Sequence, residues 1–163
     1  MIGRTELSVF AAVLGLDQLT KQLVLASFET GEKLAITPFF NLVLVWNPGV
    51  SFGLLGELGD HRPALLVALT LFVMMLLGVW LWREQRSASR LALVLVLAGA
   101  FGNLVDRIRF GAVVDFLDFH WAGYHWPAFN LADSAIVAGA GLLLLDGLWS
   151  ARGSVSEAEG ERR

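Results

Sequence analysis

The chain has 163 residues, 56% of them hydrophobic and only 17% charged, with a formal net charge of -3 and no cysteine. A single domain of this size cannot bury so much apolar surface in water, because its surface-to-volume ratio is too high, so lipid is the expected second medium. The absence of cysteine excludes a thiol nucleophile, a disulfide framework and a Cys-ligated metal, and no basic stripe points to nucleic acid.

The first apolar segment, Leu7 to Phe28, is interrupted by Asp17, Gln18 and Lys21. A cleaved signal peptide needs an unbroken apolar core, so this segment is expected to stay as a span. Asp17 and Lys21 stand four apart, share a helix face and can pair. The loop that follows alternates like a strand from Phe39 to Trp46, turns at Asn47-Pro48-Gly49, and is expected to form a short surface helix over Ser51 to Glu57. The second segment, Pro63 to Trp82, is uncharged and long enough to cross roughly 30 Å of hydrocarbon.

The third span is expected over 91–108, with Asn103 and Arg107 one turn apart at its end. Arg107 there either positions a ligand or snorkels to the headgroups. The second outer loop carries VVDFLDF, strand-like again, and then HWAGYHWP. In a strand Asp115 and Asp118 point to opposite faces, so only one of them is expected to face the protein, and the pattern does not choose. Trp46, Trp121, Tyr124 and Trp126 are expected at one membrane interface. The fourth span is expected over 133–149, led by Asn130-x-x-Asp133, whose plainest reading is a helix N-terminal cap. The polar residues 151–163 are expected to be a disordered cytoplasmic tail beyond a domain of residues 1–150.

Seven basic residues, among them Arg83, Arg86 and Arg90, fall on the side of the termini, against Lys33, Arg62, Arg107 and Arg109 on the other. Both termini are therefore expected in the cytoplasm. The carboxylates Asp17, Asp106, Asp115, Asp118 and Asp133 map to the outer half or the outer loops. Ionisable groups at a membrane boundary are costly unless paired or working. Two carboxyls brought side by side would share a proton and could activate a water for hydrolysis. Rival chemistries fare worse. His61, His120 and His125 form no HExxH, and Ser51 and Ser134 lack a GxSxG context. A proton-coupled carrier is the alternative from another class, although its acids belong near the midplane and a repeat is expected. A non-enzymatic assembly factor packed through small residues such as Gly139 and Gly141 is a third.

The blocks GNLVDRIRFGAVVDFLDF (Gly102 to Phe119) and FNLADSAI (Phe129 to Ile136) resemble the two C-terminal signatures of the lipoprotein signal peptidases. DQLTK (Asp17 to Lys21) and NPGVSFG (Asn47 to Gly53) are similar to that family's first two blocks, in the same order, though Pro48 and Val50 depart from its alanine-richer versions. The resemblance implies an all-α integral membrane fold of four transmembrane helices, with a small extracytoplasmic β-cradle around residues 39–59 and a surface helix. It implies an aspartic endopeptidase of the bacterial inner membrane that removes the signal peptide from diacylglyceryl-modified prolipoproteins, cutting before the lipidated cysteine at the outer face. Asp115 and Asp133 match the catalytic positions. Asn47, Asn103, Arg107 and Asn130 match residues that line the site, and Asp17 and Lys21 a supporting block. The implied partners are the prolipoprotein and membrane lipid, for a monomer with no metal, no cofactor and no nucleic acid.

Overall fold

The computed structural model describes residues 2–49 and 62–160. The expected surface helix over Ser51 to Glu57 lies outside the described residues. In chain order the elements are α1 (Arg4–Ser27), β1 (Lys33–Thr37), β2 (Phe40–Asn47), α2 (Arg62–Arg83), α3 (Ser87–Phe110), β3 (Val113–Trp121), β4 (Tyr124–His125) and α4 (Leu131–Gly160). Each helix holds a stretch long and apolar enough to cross a bilayer. The four expected spans are present, and strands were expected beside them, but the fold is not purely all-α: a four-stranded antiparallel sheet runs in the order β1-β2-β3-β4. Its strands lie outside the spans, where backbone groups can pair between loops. α4 also runs past the expected end at 149, because nothing in ARGSVSEAEG breaks a helix as proline would.

α3 is the hub. Half of its apolar stretch is buried, against 6% for α2, whose Leu65, Leu69, Phe72 and Leu76 present bare apolar surface as a lipid-facing helix should. Its contact with α4 is close because glycines line it. A Cβ at Gly99 would strike the Ala132 carbonyl and Ile136, and one at Gly139 would come 2.6 Å from the Ala92 carbonyl oxygen. A Cβ at Gly141 meets nothing within 4 Å. Gly139→Ala is therefore expected to destabilise by about 1–3 kcal/mol, whereas Gly141→Ala is neutral or stabilising. Thermal unfolding of the two variants in detergent checks the contrast.

The two ends of the bundle are tied differently. At the start of α3, Arg90 donates to Glu6 Oε1 at 2.8 Å and to the carbonyls of Leu81 and Glu84 at 3.0 Å, while Arg86 pairs with Asp146 at 3.3 Å. These bonds stitch α1, α2 and α4 to α3. At its other end, α3 stops on Gly111, whose left-handed conformation (φ 74°) lets its N–H close on the Arg107 carbonyl. The chain then enters β3, which pairs with β2 from Phe40↔Phe119 to Asn47↔Val113, with a register shift between Leu42 and Val45. Both loops must lie on one side of the bundle for this pairing, as alternating spans require. A cluster of Val24, Leu44, Val114 and Phe116 seats the sheet on the end of α1.

A candidate active site at the end of the bundle

Asp115 is the third residue of β3 and is 1% exposed. Asn47, the last residue of β2, donates through Nδ2 to Asp115 Oδ2 at 2.8 Å, while its Oδ1 accepts the Gly49 N–H at 2.8 Å, so its amide can point only one way. That turn needs glycine at position 49: φ is +78°, and a Cβ there would lie 2.6 Å from Leu66 Cδ1.

Asn130, fully buried just before α4, joins the other parts. Its Nδ2 donates to Asp115 Oδ1 at 2.7 Å, to Asn103 Oδ1 at 3.1 Å and to the Val114 carbonyl at 3.2 Å. Its Oδ1 accepts the Asp133 N–H at 2.9 Å, and its own N–H donates to Asp133 Oδ2 at 3.2 Å. This reciprocal pair is a capping box, so the sequence expectation for Asn-x-x-Asp holds. The same residue also ties Asp133 to Asp115. The remaining oxygen, Asp133 Oδ1, accepts from Asn103 Nδ2 at 2.7 Å.

Behind this pair lies a buried ion cluster. Lys21 Nζ donates to Asp17 Oδ2 at 2.9 Å, Asp106 Oδ2 at 2.8 Å and Asn103 Oδ1 at 3.0 Å, so its three protons meet three acceptors. Asp17 Oδ1 accepts the Ala132 N–H at 2.9 Å at the start of α4, and Asp106 Oδ2 accepts the Val114 N–H at 3.2 Å. Gln18 Nε2 reaches Asp106 Oδ1 and Asp17 Oδ2, both at 3.2 Å. Asp106 and Gln18 were not among the expected site residues. The available signal was spacing, since Asp106 is three residues from Asn103 and one turn of α3 carries both.

Arg107 is half-buried. Among the described residues, Nη1 reaches the Asn103 carbonyl alone, at 3.4 Å, and the buried Nε has no partner. Its charge acts on Asp133, Asp115 and Asp106. Around the site, four carboxyls thus face two cations. Burial pushes the Asp115 carboxyl up to about 7, and the charge of Asp133 adds to this; the hydrogen bonds from Asn47 and Asn130 pull the other way.

Asp118 belongs elsewhere. The expectation that only one of the two strand aspartates is covered is corrected, because both are buried. β3 is an interior strand, and its far face gives Asp118 its own partners: Asn41 Nδ2 and His125 Nδ1 at 2.7 Å, and Lys33 at 3.8 Å. Burial pushes the Asp118 carboxyl up, but the bonds from His125 and Asn41 outweigh it and hold it below the ordinary range. Trp121, Tyr124 and Trp126 stand out from this end of the sheet, all well exposed. Trp46 instead packs edge-on against Phe110.

The profile of a family described as signal peptidase (SPase) II matches residues 9–149. Similar curated proteins are the lipoprotein signal peptidases of Syntrophotalea carbinolica (47% identical, covering 87% of this chain and 89% of that one), Shewanella baltica (46%, 90% and 87%) and Burkholderia pseudomallei (47%, 91% and 90%). Two solved structures of a bacterial membrane enzyme, at 2.3 and 1.9 Å resolution, superpose with TM-scores of 0.78 and 0.79. They are 28% and 29% identical, cover 90% and 88% of this chain, and are themselves covered to 89% and 92%.

Proposed function

The chain belongs to the signal peptidase II family, and on that premise we propose that Asp115 and Asp133 are its catalytic pair, making it an aspartic endopeptidase. The protein is a multi-pass bacterial membrane protease that removes the signal peptide from prolipoproteins. The observation that carries the proposal is Asn130, which is bonded to both carboxyls at once. A group that grips both acids fixes their spacing before substrate arrives, which is the preorganisation that hydrolysis needs.

The working form holds one proton. Asp115, pushed up to about 7, keeps it below neutral pH and gives it to the scissile carbonyl. Asp133, with an N–H on each oxygen, takes a proton from the attacking water. The roles then reverse as the amine leaves, and no metal or cofactor is required. Asn103 orients Asp133, and Asn47 and Asn130 orient Asp115. Arg107, whose charge acts on both carboxyls, is the donor to a substrate carbonyl. Lys21 and Asp17 lock Asn103 and the start of α4 from behind. The acids gather at one end of the bundle, which suits a bond at the membrane boundary better than a carrier's path across it. The bias of basic residues supports a topology with both termini and the tail in the cytoplasm, and with it the sheet and the dyad at the outer face of the inner membrane. One chain holds every group named, so a monomer suffices.

Cleavage of a lipid-modified prolipoprotein, compared between the protein and its Asp→Asn variants, tests the assignment. The pH profile gives a second test. The rate is expected to fall as pH rises through about 7, where Asp115 loses its proton. Asn47→Ala removes a hydrogen bond that favours the charged carboxylate, so Asp115 holds its proton longer and the falling limb moves up by about one pH unit. A limb that stays in place would separate Asn47 from the titrating group.

A further inference from the structure

We infer that Asp118 is a positioning residue for the reaction: from the face of β3 opposite Asp115, it pins the two chain segments that bring Asn47 and Asn130 to that acid. The inference rests on the peptidase reading above. Asp118 is 6% exposed, and both of its carboxyl oxygens are engaged. Oδ2 accepts from Asn41 Nδ2 on β2, and Oδ1 from His125 Nδ1 on β4, both at 2.7 Å. One buried side chain thus ties both neighbours of β3 to it.

On the β2 side the requirement is geometric. Asp115 and Asp118 are three apart and face opposite ways, whereas Asn41 and Asn47, six apart, would face the same way in a regular strand. Both asparagines nevertheless reach an aspartate, Asn41 to Asp118 and Asn47 to Asp115. They do so because β2 holds one extra residue between Leu42 and Val45, opposite Leu117 and Asp115. A side-chain pair on each side keeps that bulge in place. Without the Asn41 pair the extra residue can shift along β2, and once it passes Asn47 that amide turns away from Asp115.

On the other side, β4 is two residues long and its turn puts the non-glycine Ala122 at φ 49°, so the hairpin does not hold itself. Trp126 and Phe129 bond to the β3 backbone at Phe119 and Leu117, the residues on either side of Asp118, and Asn130 comes next. His125 opens this run. Its bond to Asp118 sets where along β3 the run begins, and hence where Asn130 meets Asp115.

The experiment measures kcat, KM and the pH profile of prolipoprotein cleavage by the full-length protein in micelles, per folded molecule. Asp118→Ala is expected to lower kcat about 10–100-fold, the effect of a small misplacement, with KM little changed. Its falling limb should move up in pH, as in Asn47→Ala, because both bonds that favour the charged Asp115 slacken. Asp118→Asn should restore most of kcat and return the limb, since it accepts from His125 and, with the Asn41 amide reversed, donates to it. Asn41→Asp sets two carboxyls face to face and should repeat the Asp118→Ala defect, and adding Asp118→Asn should repair it. Those two variants decide the matter if Asp118→Ala does not fold. An unmoved limb in folded Asp118→Ala, whatever its melting temperature, would make Asp118 a residue of the fold only and overturn the inference. A double variant no better than Asn41→Asp would overturn it too. Failure of the peptidase reading looks different, since Asn47→Ala, which touches Asp115 directly, would then leave the limb in place as well.

Discussion

Asp115→Asn and Asp133→Asn are each expected to yield a folded protein whose processing of a lipid-modified prolipoprotein falls by about 10²–10⁴-fold, the range for losing a general acid or base. The double variant should be little worse than either single one, because the two carboxyls act as a unit. Stability should move the other way at position 115. The folded pKa of Asp115 lies above its unfolded value of 3.8, so its favourable contribution is complete below pH 3.8 and is lost as pH rises through about 7. An asparagine never ionises and escapes that loss. Asp115→Asn should therefore gain on the parent protein between pH 5 and pH 8, by up to about 4 kcal/mol from linkage. A dead enzyme that melts higher at pH 8 is the signature of a buried acid held for chemistry. Retained cleavage by either folded variant would remove that residue from the pair.

Lys21→Met should have the largest effect on the fold. It leaves Asp17 and Asp106 in a dry interior with no cation between them, and breaking a buried ion cluster from one side costs about 3–5 kcal/mol. Asn103 would lose a donor at the same time and hold Asp133 less firmly. Adding Asp17→Asn and Asp106→Asn to Lys21→Met removes the stranded charges and should recover part of the loss. Thermal unfolding in micelles reads both steps. If Lys21→Met melted like the parent, the cluster would not be ionised as drawn.

The spans were legible because one physical requirement, about twenty apolar residues in a row, writes itself directly into sequence. The Asp17–Lys21 pair was legible for a similar reason, since helix periodicity fixes which residues share a face. What could not be read locally was pairing between distant loops. Nothing near Asn47 says that it will face Asp115, because their meeting depends on a register with an irregularity between Leu42 and Val45. Strand alternation likewise predicted one covered aspartate, and could not foresee that Asn41 and His125 would give Asp118 a polar niche of its own. Position 133 offered a choice between cap and site; the capping bonds are present, and they leave the other carboxyl oxygen to Asn103, so the cap does not preclude the catalytic role proposed for it. Asp106 was counted among the outer carboxylates but not assigned to the site, because its partner, Lys21, comes from α1 and already had a counterion there.

The pairing of β2 with β3 also sets a schedule. Asn47 leaves the ribosome 68 residues before Asp115, and two further spans must be inserted before the strands can zip together. Asp133 follows later still. If Asp115 and Asp133 are the catalytic pair proposed above, a half-made chain contains no cutting centre until nearly all of it has been threaded into place.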